Sequence, residues 1–243
     1  MQTMPGKVFF GPRDSLLLRD MDLSTRNESA KGAISAGKLP AAGVLLIVCI
    51  TGWIFMQLEL LGVRVLTPYF GSAIYVVTGS VIGIFLLSLS VGYMLGGWLS
   101  NRPSSRTTVG LCVVAAGLWL CALPYFIEPV CERIFDTGLD EKWGSLLATL
   151  ALFALPTVML STVSPTVVRW LTRNPAQAGF NAGLVLAVST AASFGGCVVT
   201  AFWLVLLSLS ATFMVSGGVL IALGILILFW AMISKPHKEG EKL

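Results

Sequence analysis

One carboxylate stands deep in an apolar stretch of this chain. Glu59 lies within LLIVCITGWIFMQLELLGV, with Gln57 two residues before it and Arg64 five residues after it. A carboxylate among apolar residues is costly inside a bilayer and ordinarily faces a partner, a bundle interior or water. The groups that could serve it are few. They are Arg64, the hydroxyls of Tyr69 and Tyr75, and the polar side chains of a later apolar stretch, Asn181, Ser189, Thr190 and Ser193. Five residues carry a helix about 140° past a full turn. Arg64 therefore meets Glu59 only if its long arm reaches back. Three readings stay open at this stage: pairing inside the bundle, a role in moving a cationic solute, and plain hydration near a membrane boundary.

The rest of the reactive inventory is thin. Cys49, Cys112, Cys121, Cys131 and Cys197 are scattered without a CxxC, and the lone His237 sits in a charged tail. No metal site of the usual Cys and His kind can be built from these, and the cysteines read as small apolar packing residues. General acid–base or metal chemistry would have one intramembrane carboxylate and no intramembrane histidine to work with. No catalytic, cofactor-binding or metal-ligating residue is assigned, and no cofactor is expected.

The elements that must position Glu59 follow from composition. Of 243 residues, 56% are hydrophobic and 12% are charged, with a mean hydropathy of +0.85. Soluble domains are about 25% charged, so a soluble enzyme is excluded and a polytopic helical membrane protein remains. After Pro40 come six apolar blocks, near 41–63, 73–100, 107–127, 143–164, 182–207 and 211–233, each long enough to cross a bilayer core. The expected fold is an all-α membrane domain of six transmembrane helices over 41–233. A cytoplasmic N-terminal tail (1–40) and a cytoplasmic C-terminal tail (234–243) flank it. The N-terminal tail lacks the pattern of a cleaved signal peptide; residues 14–23 are either a short interfacial helix or flexible. Both termini are placed in the cytoplasm because only Arg64, Arg133 and Lys142 of the sixteen Lys and Arg fall on the opposite side. The formal charge of +4 thus reflects topology and gives no sign of a nucleic-acid partner. In the longest outer loop, Ile127, Val130, Cys131 and Ile134 fall at helical spacing, which predicts a short amphipathic helix on the membrane surface.

Helices in lipid associate through small residues. Gly79 and Gly83 are four apart, as are Gly92 and Gly96, and Gly179, Gly183, Ala187, Ala191 and Gly195 form a ladder on one face of the fifth span. The ladder predicts a centrally packed fifth helix. The polar groups beside it are either interhelical glue or the lining of a cavity. Pro156 should kink the fourth span.

Residues 58–103 carry a combination of motifs. Glu59 and Arg64 precede Pro68–Gly71 (PYFG) and Tyr75. A glycine-rich helix follows and closes through Gly92, Gly96, Gly97, Leu99, Asn101 and Arg102. SPTVVRWL from Ser164 and AGLVLAVSTAASFGG from Ala182 continue it. This pattern resembles the transmembrane module of membrane-bound spermidine synthase-like proteins, over about residues 41–233. In that family the module is usually fused to a soluble domain resembling an S-adenosylmethionine-type aminopropyltransferase. This chain has no G-x-G among its 25 glycines, and ten residues follow Ile233. The expectation is a module without its own catalytic domain. Separately, Gly97, Asn101 and Arg102 resemble the cytoplasmic loop motif of major facilitator transporters, of which six helices would be one half. Asn101 stands where that motif has Asp.

The resemblances imply an integral protein of the bacterial cytoplasmic (inner) membrane, non-catalytic alone. It would anchor or supply a separate soluble aminopropyltransferase-like chain. The alternative is a six-helix transporter of cationic or polyamine-like solutes working as a homodimer.

Overall fold

The computed structural model describes residues 41–102, 104–172 and 175–233. The two tails assigned to 1–40 and 234–243 lie outside the described residues. Among those residues the only regular structure is helical, without strands, and six helical spans are long and apolar enough to cross a membrane. The first is α1 (Ala41–Phe70). The second is α2 (Gly83–Ser100), led in by a π-helical stretch at Tyr75–Ile82. The third is α3 (Ser105–Phe135). The fourth is broken into α4 (Glu141–Thr149), a π-helical turn at Leu150–Ala154, α5 (Leu155–Ser161) and α6 (Val163–Leu171). The fifth is α7 (Ala178–Phe202) and the sixth α8 (Leu209–Ile233).

The first, third and fourth spans overrun the apolar blocks by several residues. At 1.5 Å per residue, a 30-residue helix is about 45 Å long, against a hydrocarbon core of about 30 Å. The surface helix expected within residues 128–142 is not a separate element: α3 runs through Pro124 and Pro129 to Phe135. The helical spacing of Ile127, Val130, Cys131 and Ile134 is real, but it serves one continuous helix whose Ile127 and Cys131 are buried. Gly71 and Gly138, at φ of 76° and 69°, turn the chain after α1 and α3 in the left-handed region that a side chain would resist.

The spans associate chiefly in pairs: α3 along α8, α1 along α7, and the fourth span against α2. Each pair approaches through glycine. A β-carbon at Gly117 would stand 2.7 Å from the Gly217 carbonyl oxygen, and one at Gly224 would stand 3.0 Å from that of Gly110. One at Gly196 would lie 2.6 Å from the Trp53 carbonyl oxygen, and one at Gly52 would lie 2.9 Å from that of Ser189. Gly92 and Gly96 seat α2 on the carbonyls of Val158 and Thr162, each 2.6 Å from such a β-carbon.

The ladder on the fifth span does not make this contact. Gly179, Gly183, Ala187 and Ala191 are exposed, and only Gly195 meets a neighbour, the Trp53 ring. The buried stripe of α7 is the adjacent one, Val185, Ala192, Gly196 and Thr200. The fifth span is the least buried of the six and the fourth the most, so the fourth helix takes the central place that the ladder predicted for the fifth. Gly79 also borders open space.

Between the pairs lies a file of aromatic rings. Phe55 meets Phe85 edge-on at 5.8 Å, Phe85 meets Phe153 at 5.9 Å, and Phe153 meets Phe213 at 6.4 Å. Phe85, Phe153 and Phe213 are fully buried, and with Phe55 the file ties four spans together.

The break in the fourth span has a local cause. In an α-helix the Leu152 carbonyl would accept from residue 156, and Pro156 has no N–H. The π-helical turn sits directly before this proline. The indole N–H of Trp119 on α3 donates to the Leu152 carbonyl at 2.9 Å.

Candidate functional site

Glu59 sits on α1, eleven residues before Phe70 and eighteen after Ala41. At the helical rise it is about 16 Å from one end of α1 and 27 Å from the other. Glu59 therefore lies in the interior of α1 and outside its terminal turns.

Its side chain lines a cavity of about 250 Å³ between α2 and α7. Those two helices hardly touch, and α1 and the fourth span close the cavity from behind. The polar lining comes from four spans: Thr51 and Glu59, Tyr93, Ser161 and Ser164, and Ser189, Thr190 and Ser193. Leu86, Tyr93 and Thr190 are exposed, so the cavity is a groove open sideways. A second cavity of about 280 Å³ shares Tyr93 and Ser164 and extends the groove along α7 past Leu186 to Ala182, toward the Asn101 end of the bundle.

The hydroxyl protons of three lining residues are already committed. Thr51 donates to the Ile47 carbonyl at 2.9 Å, Ser161 donates to that of Thr157, and Ser193 donates across to that of Gly52 at 3.0 Å. A serine or threonine oxygen that has given its proton to a helix carbonyl keeps only lone pairs to offer. With the Glu59 carboxylate, the groove is rich in acceptors. No Lys or Arg lines it, and among the described residues Glu59 has no ion pair or hydrogen bond. The arrangement suits a ligand that brings positive charge and N–H donors.

The structure separates the remaining members of the expected polar cluster. Arg64 does not turn back to Glu59; its guanidinium donates to the Leu207 carbonyl at 3.0 Å, beyond the end of α7. Tyr75 donates to the Glu141 carboxylate at 2.5 Å, with Lys142 5.5 Å from its ring. That bond to Glu141 pushes the phenol above the ordinary tyrosine range, because ionisation would give up the donated proton beside a negative charge. Asn181 donates to the Leu171 carbonyl at 3.3 Å, and Tyr69 lies against Phe70. Only Ser189, Thr190 and Ser193 of that set join Glu59.

Several groove residues escaped the sequence reading. Ser161 and Ser164 line the groove, and with the buried Thr157 they follow at four and three residues, a polar stripe on one helical face. Attention to the fifth span alone passed over it. Tyr93 beside Gly92 carried no signal that separates it from an aromatic at a membrane surface.

The loop motif forms a fastening. The Arg169 guanidinium donates to the Asn101 side-chain oxygen at 2.5 Å, and Arg102 lies 3.9 Å above the Trp98 ring. Arg106 lies 4.2 Å above Trp230, which meets Trp170 edge-on at 5.7 Å. The Trp170 N–H donates to Ser105 at 3.3 Å. Asn101 keeps the acceptor oxygen of an aspartate without its charge, and Gly97 borders open space. Among the described residues no group of three His, Cys, Asp or Glu could hold a metal ion.

No protein-family model matches this chain, and no characterised protein or solved structure matches it either.

Proposed function

We propose that this chain is an integral membrane module that binds a cationic, amine-bearing solute at Glu59 and passes it on. It is non-catalytic alone and supplies a separate aminopropyltransferase-like chain. The observation that carries the reading is the acceptor-rich groove: a carboxylate in the interior of a long apolar helix, flanked by serine and threonine oxygens, with no cation among its lining residues. A carboxylate so placed is costly until a cation neutralises it. One ammonium group meets Glu59, and further N–H groups along the solute meet the lone pairs of Thr51, Ser161 and Ser193. The continuation of the groove toward the Asn101 end supports release at that face, where the Lys and Arg distribution places the cytoplasm. The partner's chemistry rests on the resemblance of residues 58–103 to the membrane part of spermidine synthase-like proteins.

The test is equilibrium binding of radiolabelled spermidine and putrescine to the chain in nanodiscs. Saturable binding is expected, and Glu59→Gln should weaken it roughly tenfold or more, the value of a charge-assisted hydrogen bond. Absence of saturable binding, or equal binding by Glu59→Gln, would overturn the proposal.

One observation favours a second reading, a transporter built from two copies in the bacterial cytoplasmic membrane. The small residues Gly179, Gly183, Ala187 and Ala191 lie exposed on α7 and leave a face that a second copy could approach closely. Uptake of labelled amine into sealed proteoliposomes, abolished by Glu59→Gln, would favour it over supply to a partner.

A further inference from the structure

Gln57 and Arg64 are seven residues apart and so lie on one line along α1, about 20° from perfect register, and Ile50 lies on the same line. This line faces away from Glu59. It borders a third cavity, of about 430 Å³, between α1, the end of α7 and α8. Ile50 and Trp53 line it from α1, Leu207 from the turn, and Val215 and Val219 from α8. The polar groups at its wall are few, and the pair that fastens α1 to α8 is already satisfied: the buried Gln57 amide donates to the Ser216 hydroxyl at 2.7 Å. The cleft is thus an apolar slot reaching into the bilayer.

Its end has different chemistry. Arg64 lies about 10 Å beyond Gln57 along α1. Leu207 both lines the cleft and accepts from the Arg64 guanidinium, which fixes the cation beside the apolar slot. The bond uses one of five guanidinium N–H groups. Among the described residues Arg64 has no carboxylate partner. The turn over 203–208 carries no charged residue, and Trp203 is exposed on it, as at a membrane–water interface. Two residues after Leu207, α8 begins, and the positive end of its dipole adds to the Arg64 charge.

We propose that this cleft holds one anionic phospholipid, with its phosphate on Arg64 and one acyl chain laid along Ile50 and Gln57. The argument is charge complementarity joined to shape. A zwitterionic lipid would fill the slot equally well but would bring no net charge to an arginine that lacks a carboxylate. The lipid would seal the seam between α1 and α8 that the protein's own side chains leave open.

The experiment is lipid retention by the full chain, purified from an equimolar mixture of phosphatidylglycerol and phosphatidylcholine with identical acyl chains and read by native mass spectrometry. One retained phosphatidylglycerol is expected, preferred about fivefold, the value of one cation at a membrane surface. Arg64→Gln should bring the preference close to unity. Val219→Trp, which fills the slot without touching the cation, should reduce retention of both lipids. Equal retention by the unaltered chain, or an unchanged preference in Arg64→Gln, would overturn the proposal. If Arg64→Gln does not fold, Val219→Trp decides: unaltered retention of phosphatidylglycerol would overturn it. Neither variant touches the Glu59 groove, so failure here leaves the amine site standing.

Discussion

At the scale of single residues, the decisive question is where each polar group in the membrane finds its partner. Trp119 is the clearest case. Its indole N–H reaches the Leu152 carbonyl, which Pro156 cannot serve. Trp119→Phe should destabilise the chain by about 1–3 kcal/mol, the cost of leaving a buried carbonyl unmet. Pro156→Ala restores an N–H in the α-helical position and should recover part of that loss. Thermal unfolding of the two single variants and the double variant in detergent checks the coupling, and strictly additive effects would refute it.

Glu59 and Arg64 make the opposite prediction. They have different surroundings, the groove and the Leu207 carbonyl. Glu59→Gln and Arg64→Met should therefore add within about 0.5 kcal/mol. A rescue of Glu59→Gln by Arg64→Met would show that the two are paired. Tyr75 offers a pH readout. Its pKa is raised by donation to Glu141. A raised folded pKa contributes stability that is present below the ordinary tyrosine value and lost as pH rises through the higher folded one. Spectrophotometric titration should show Tyr75 ionising late, and Tyr75→Phe should lower the late absorbance change by one phenol.

At the scale of elements, the helices are held by glycines at seven-residue as well as four-residue spacing. Gly110 and Gly117 face Gly224 and Gly217 in reciprocal contact. Seven residues are close to two full turns, so such a pair stays on one seam while helices run alongside each other. Gly117→Leu should push α8 away from α3 and cost about 1–3 kcal/mol or more, as overpacking does. Gly183→Ala meets open space and should be neutral or stabilising by up to about 1 kcal/mol through helix propensity. Unfolding temperatures of the two variants in the same detergent check this contrast. Equal destabilisation would mean that the exposed face of α7 is covered after all.

At the scale of the whole molecule, α1 divides two lateral openings of opposite character. The Glu59 groove is polar and acceptor-rich; the Arg64 cleft is apolar with a cation at its end. The distribution of Lys and Arg predicts that the loop over 136–140 faces away from the cytoplasm. A reporter inserted there should read as external, and a cytoplasmic signal would reverse the bundle and the proposed direction of release.

The sequence by itself determined the solvent. Few charges and six apolar blocks allow helices in a bilayer and little else, because every backbone group there must be satisfied within its own span. It also marked Glu59 as costly, and Gly92 with Gly96 as a contact, since both signals are local. It did not determine which face of α7 turns inward. The exposed ladder and the buried stripe both contain small residues, and in lipid there is no hydrophobic force to choose between them. The choice was made by fit: Gly196 and Gly52 let α7 and α1 meet backbone to backbone, while Gly183 and Ala187 found no partner. Tertiary packing likewise sent Arg64 to Leu207 and brought Tyr93, Ser161 and Ser164 to Glu59. These are contacts between spans far apart in the chain, and a side chain's partner across a bundle depends on helix rotations that no single span's periodicity encodes.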